Sequence, residues 1–215
     1  MKKVYSFIII SLFVFSLGTA LLTLLSLLSY PLLFALAVPC AFAAADFLSG
    51  LFHWACDTWG KQSMFVIGPT LLKSFRDHHK NQKGIVRHNF VEVNGHNIIV
   101  ATPFIVAITF ISTTSSTLIF LKAWLMMTIL GILVTNQIHK WAHSDSVPSS
   151  VRFLQEMGLI LSPRQHQLHH SSPFASNYCI TVGFLNDFLE RIHFFRHVEN
   201  IISFVTGAEP REDER

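Results

Sequence analysis

Four apolar runs limit what this chain can fold into more than any other feature. Residues 4–28, 31–56, 98–111 and 118–138 are almost free of charge. Most of them approach or exceed the roughly 20 residues a helix needs to cross a bilayer core. Charged residues make up only 13% of the chain, about half the share usual in a soluble domain. The expected fold is therefore an all-α integral membrane protein with four transmembrane helices. The first run could be mistaken for a cleaved signal peptide, with Gly18-Thr19-Ala20 as the cleavage site. It continues as "LLTLLSLL", however, so a membrane span is the reading adopted. Pro39 is expected to kink the second run.

Charge placement sets the orientation. Of the sixteen Lys and Arg residues, only Lys122 lies near the turn "STTSST" (112–117) that joins the last two runs. By the positive-inside rule, both termini, the loop 57–97 and the C-terminal part 144–215 are expected on the cytoplasmic side. Residues 1–143 then hold the membrane helices, and 144–215 form a cap. Within that cap, Phe184, Phe188, Ile192, Phe195, Val198 and Ile202 recur at the spacing of an amphipathic helix. The tail "PREDER" (210–215) is expected to be a solvated end.

Histidine is the second anomaly: twelve, against three cysteines with no C-x-x-C pair. Neither a disulfide framework nor a thiolate metal site is indicated. On the expected topology every histidine falls on or near one membrane face. His139 and His143 in "HKWAH" share a helix face at i and i+4. "HQLHH" places His166 beside His169 and His170, and "DHH" pairs His78 with His79. Adjacent histidines point about 100° apart around a helix, which suits two neighbouring metal ions better than one.

His53, His78, His79, His139, His143, His166, His169 and His170 are the candidate ligands. Asp46, Asp57, His88 and Asn136 are possible further ligands or supports for a ligand. An ionisable residue within a span, such as Asp46, is expensive and usually functional; here it could accept the imidazole N–H of His53. Asp57 could instead pair with Arg76 or Arg87. His96, His193 and His197 read as ordinary loop or surface histidines. So many imidazoles exceed what one tetrahedral zinc can use. Imidazole suits Zn, Cu, Fe and Ni alike, but a nitrogen-rich binuclear site with open positions suits iron that activates dioxygen. Two iron ions (Fe2+/Fe3+) are the expected cofactors.

"ADFLSGLFHWACDTWG" (45–60), "FRDHHKNQKGIVRHNFVEVNGHN" (75–97), "TNQIHKWAH" (135–143) and "HQLHH" (166–170) together resemble the lipid desaturase family. The resemblance covers about 45–210 as a single domain. It is nearer to the plasmanylethanolamine desaturase branch than to the plant plastid acyl desaturases. It implies an O2-dependent di-iron oxidoreductase that converts the sn-1 alkyl ether chain of plasmanylethanolamine to a vinyl ether, the defining bond of plasmalogens. It also implies an ether phospholipid substrate and an electron carrier such as cytochrome b5, in bacterial inner membrane or endoplasmic reticulum, with no nucleic-acid partner. Animal members carry a further histidine where this chain has Gln165, so that ring is expected to be dispensable. The basic loop (Lys61, Lys73, Arg76, Lys80, Lys83, Arg87) could steer an acidic carrier, hold anionic lipid headgroups, or only set topology. The rival chemistries are acyl desaturation or hydroxylation at the same irons, a zinc-dependent hydrolase, a metal transporter and a haem carrier. The last two would place ligands within the spans, where histidine is absent.

Overall fold

The computed structural model describes residues 2–172 and 174–211, and among these no residue is in a strand. The helices in chain order are α1 (Lys2–Leu27), α2 (Pro31–Thr58), α3 (Lys73–Lys80), α4 (Gly84–Arg87), α5 (Phe90–Thr109), α6 (Ser116–Ala142), α7 (Ser149–Glu156), α8 (Pro163–His169), α9 (Asn186–Arg191) and α10 (Phe194–Thr206). A π turn, Gly68–Leu72, leads directly into α3. Four helices, α1, α2, α5 and α6, are long and apolar enough to cross a membrane. Their outward residues, among them Phe7, Leu22, Leu32 and Phe104, are exposed. Apolar surface on this scale needs lipid rather than water around it, and the chain is an integral membrane protein.

Two helices depart from their expected limits. The third begins at Phe90, well before Ile98, because Asn89 and Glu92 form a capping box: Asn89 Oδ1 accepts from the Glu92 N–H (3.1 Å), and Glu92 Oε2 accepts from the Asn89 N–H (3.0 Å). Two orphan N–H groups are thereby satisfied, so the polar stretch "VEVNGHN" is helical. The C-terminal amphipathic stretch is broken into α9 and α10 by His193, whose φ is 49°. Phe195 is buried beyond the break, whereas Phe184, Phe188 and Ile192 are exposed before it. Helix α2 continues through Pro39.

The chain divides into two compact units: residues 1–45 with 88–137, and residues 46–87 with 138–215. The first is built on Ile9, Ala20, Ile98, Ile105, Met126 and Leu133. Few polar groups interrupt it; Ser16 Oγ, for one, lies 2.9 Å from Thr102 Oγ1. Lys122 donates to the carbonyls of Thr109 and Ile111, both at 2.9 Å. It thus satisfies acceptors left open at the C-terminal end of α5.

The second unit packs around Trp54, Tyr178, Cys179, Leu189 and Phe195. Its three-part anchor is the chain that follows α8. Asp46 accepts from the backbone N–H of Val182 and Gly183 (2.8 Å each) and of Leu185 (3.2 Å). One turn on, Ser49 Oγ accepts from Ile180 N–H (3.1 Å). Gly50 completes the seam, since a Cβ there would lie 2.5 Å from Cys179 Sγ and 3.1 Å from its backbone nitrogen. All three cysteines are free. Arg211, expected in a solvated tail, instead donates to the carbonyls of Thr58 (2.9 Å) and Asp57 (3.0 Å), which caps α2. The rest of that tail, 212–215, lies outside the described residues.

Gly50→Ala tests the seam. Alanine is better than glycine in a helix by about 1 kcal/mol, but overpacking against the backbone costs about 1–3 kcal/mol. The variant should melt below wild type in detergent. An equal or higher melting temperature would show that the close approach constrains nothing.

Candidate metal centre

Four helices deliver the ligands, all within the second unit. α2 carries His53 and Asp57, one turn apart near its C-terminal end. α3 carries the adjacent pair His78 and His79. α6 carries His139 in its last turn and leads to His143, whose N–H still bonds back to the His139 carbonyl (3.3 Å). α8 is a short helix that its own sequence starts: Ser162 accepts from the Gln165 N–H, and Pro163 occupies the first turn. His166, His169 and His170 follow on that single turn.

These side chains gather into two groups, within each of which the donor atoms lie no more than 4.8 Å apart. One holds His78, His139, His143, His166 and His170; the other holds His53, Asp57, His79 and His169. Each histidine doublet is divided between them. In the first group, His166 Nε2 lies 2.8 Å from His139 Nε2, 2.7 Å from His143 Nε2 and 3.0 Å from His170 Nε2. His139 and His143 close the triangle at 3.2 Å. An imidazole nitrogen carries at most one proton, directed along its own ring plane, so one nitrogen cannot bond three others this way. Two nitrogens bound to one metal at about 2.1 Å stand roughly 3.0–3.4 Å apart, close to the spacing seen.

The second group adds a test by elimination. His53 Nδ1 is 3.1 Å from the Tyr178 carbonyl, and His169 Nδ1 is 2.8 Å from the Ser176 carbonyl. A carbonyl only accepts, so both protons are on Nδ1 and both Nε2 atoms present lone pairs. Those lone pairs face Asp57 Oδ2 at 3.2 Å (His53) and 3.6 Å (His169), with His79 Nε2 at 3.3 Å. His53 Nε2 and Asp57 Oδ2 are buried and have no hydrogen-bond partner. Acceptors turned on one another out of water are costly, and a shared cation resolves the conflict. The donor set therefore fits metal ions, two of them.

Burial favours the neutral form, the one that metal ligands need, at five of the rings. Desolvation, helped by neighbouring histidines, pushes His78 down to about 2. Burial first, and then the Lys83 charge, pushes His143 down to about 4. Burial brings His169 to about 4 although Asp57 pulls upward. His166 and His170 are lowered for the same reason.

Three expected supports stand elsewhere. Asp46 does not receive the His53 proton: seven residues of helix separate them by roughly 10 Å along the axis, and Asp46 serves the 182–185 backbone instead. His88 is exposed beside Glu92, at 3.5 Å. Asn136 donates to the Val93 carbonyl (3.0 Å) and Asn97 Oδ1 (3.3 Å) within the first unit. Neither belongs to a donor group. His96, His193 and His197 are exposed and outside both groups. In the basic loop, Arg76 is buried and donates to the Trp59 and Gly60 carbonyls (3.3 and 2.8 Å), while Lys73 and Lys83 pair with Asp77 and Asp145. The sequence reading missed the carbonyls of Ser176 and Tyr178; backbone acceptors leave no residue-type signal.

The depressed histidines fix the sign of a pH effect. In the unfolded chain these rings take a proton near pH 6.5; folded, His143 and His169 take one only near 4. Between those values the unfolded state binds more protons, so stability falls as pH falls. The metal-free protein should lose melting temperature steadily from pH 7 to pH 5. A flat profile would mean the rings are not held neutral.

The lipid desaturase domain model matches residues 42–213. Plasmanylethanolamine desaturase of Myxococcus xanthus is 43% identical over 178 residues, covering 83% of this chain and 63% of that protein. Plasmanylethanolamine desaturase 1 of Mus musculus is 41% identical, covering 79% and 65%. Chloroplastic fatty acid desaturase 4 of Arabidopsis thaliana is 34% identical, covering 82% and 54%. The chain thus spans less than two thirds of the length of these relatives. No solved structure matches it. With the domain model covering most of its length, the chain belongs to the lipid desaturase family.

Proposed function

We propose that this protein is a membrane-bound di-iron lipid desaturase that converts the sn-1 alkyl ether chain of plasmanylethanolamine into a vinyl ether. The observation that carries the reading is the pair of buried donor groups, one of five histidines and one of three histidines with Asp57, in a chain so similar to two plasmanylethanolamine desaturases. The overall change removes two hydrogens from adjacent carbons of the ether-linked chain. O2 takes these up with two electrons and two protons from outside, and two waters leave. Iron supplies the oxidising power for an unactivated C–H bond, which no side chain has as acid or base.

The chain's own residues supply the rest. The five-histidine group offers only neutral donors, whereas Asp57 gives the other group one negative charge, so the two ions differ in the charge around them. Burial of His166 and His169, 1% and 0% exposed, keeps bulk water from the ligands. Four of the nine donors, His53, Asp57, His139 and His143, stand on or just after the C-terminal ends of α2 and α6, both of them candidate spans. This supports metals near a membrane face, where a lipid chain would enter from the side. The positive-inside rule assigns that face to the cytoplasm. Exposed Lys61, Lys80 and Arg87 suit a one-electron carrier with an acidic face, such as cytochrome b5.

The test is expression in cells rich in plasmanyl lipids but lacking plasmalogens. Acid-labile vinyl-ether lipids should appear with the wild type and with His96→Ala. They should vanish with His166→Ala or His170→Ala. A new double bond in an ester-linked acyl chain instead, the outcome suggested by the names of the plant relatives, would overturn the ether assignment.

A further inference from the structure

The two carbonyls that orient His169 and His53 belong to peptide groups that are themselves gripped from behind. The Ser176 carbonyl accepts from His169 Nδ1 (2.8 Å), and the N–H of the same peptide, on Asn177, donates to Glu190 Oε1 (3.0 Å). The Tyr178 carbonyl accepts from His53 Nδ1 (3.1 Å), and the N–H of that peptide, on Cys179, donates to Asn186 Oδ1 (2.8 Å). Asn186 Nδ2 returns a bond to the Cys179 carbonyl (3.0 Å), so its amide clasps that residue on both sides. Asn186 and Glu190 lie at i and i+4 on α9, roughly 6 Å apart along its axis. The two peptides lie two residues apart in the chain, with Asn177 between them in the left-handed region.

We propose that Asn186 and Glu190 are positioning residues for the Asp57-containing donor group: through the 176–177 and 178–179 peptides they hold His169 and His53 with Nε2 turned to one cation. The inference rests on the metal-centre reading above. An acceptor on a peptide N–H polarises the amide and strengthens its carbonyl as an acceptor. A stronger acceptor at Nδ1–H fixes the tautomer and makes Nε2 a better metal donor. Glu190 does this with a charge and Asn186 with a neutral amide. Backbone strain points to the same place: Phe174 and Asn177 have φ of 61° and 57°, an uncommon region for residues other than glycine that persists where surrounding contacts impose it. The five-histidine group lacks this support at two of its rings, since Nδ1 of His166 and of His170 are buried without a hydrogen-bond partner. Asn186 and Glu190 therefore act on one of the two ions only.

The test is titration of the metal-free full-length protein in detergent with Co2+, read by visible absorption and chelator competition. Wild type should bind two ions. Glu190→Ala and Asn186→Ala should each weaken one of them by about tenfold, the low end of the range for groups that support a ligand, and leave the other unchanged. Glu190→Gln keeps an acceptor oxygen without the charge, and should weaken the same ion by less than Glu190→Ala does, while leaving the other unchanged. If the alanine variants do not fold, that glutamine variant decides alone. Affinities unchanged at both ions, or lowered equally at both, would overturn the proposal, because a merely structural role moves both sites together. Wild type binding fewer than two ions would instead refute the two-ion reading itself, whatever the variants do.

Discussion

The second unit is organised around a repulsion. Eight imidazoles and one carboxylate turn their acceptor atoms toward each other in two buried groups, with nitrogens as close as 2.7 Å. Water cannot relieve this, because most of these rings are almost fully buried. Protons relieve it little, because burial and the neighbouring rings favour the neutral form of His78, His143, His166, His169 and His170. A cation in each group turns the same geometry from a cost into a set of bonds. Metal binding and the stability of this unit are then coupled.

Asp46 shows how the surrounding frame is held. A buried carboxylate is unfavourable unless its oxygens are filled, and three backbone N–H groups fill them. That tether, with Ser49 and Gly50 on the following turn, lays the 178–185 backbone along α2. The same backbone supplies the Tyr178 carbonyl to His53. Its far side is held by α9 through Asn186 and Glu190. Residues 174–185, none of them in a helix or strand, thus link the helices to the orientation of two ligands.

The parts legible in the sequence are those that local spacing records. Apolar length marked the four long helices, and the crowding of His139/His143 and His166/His169/His170 marked a metal. The doublets His78-His79 and His169-His170 diverge as any neighbours on a helix must, and the structure sends one member of each to either group. Asp57 was visible only as the i+4 neighbour of His53, a spacing shared with any ion pair. Asp46 was visible as a costly charge, but its partners lie more than 130 residues away. Nothing in the sequence distinguished their N–H groups from an imidazole. The early start of α5 was written in Asn89 and Glu92, yet the hydropathy of "VEVNGHN" hid it. Glu190 and Asn186 act through peptide bonds, which carry no residue identity at all.

On the proposed function, the two donor groups hold two ions of one redox-active metal. Metal analysis of the purified protein, combined with Mössbauer spectroscopy of a 57Fe-grown preparation, tests it most directly. About two irons per chain are expected, the count set by the two donor groups, in two inequivalent environments, one with the Asp57 carboxylate and one with nitrogen donors alone. One tightly held zinc per chain, with no iron signal, would contradict it.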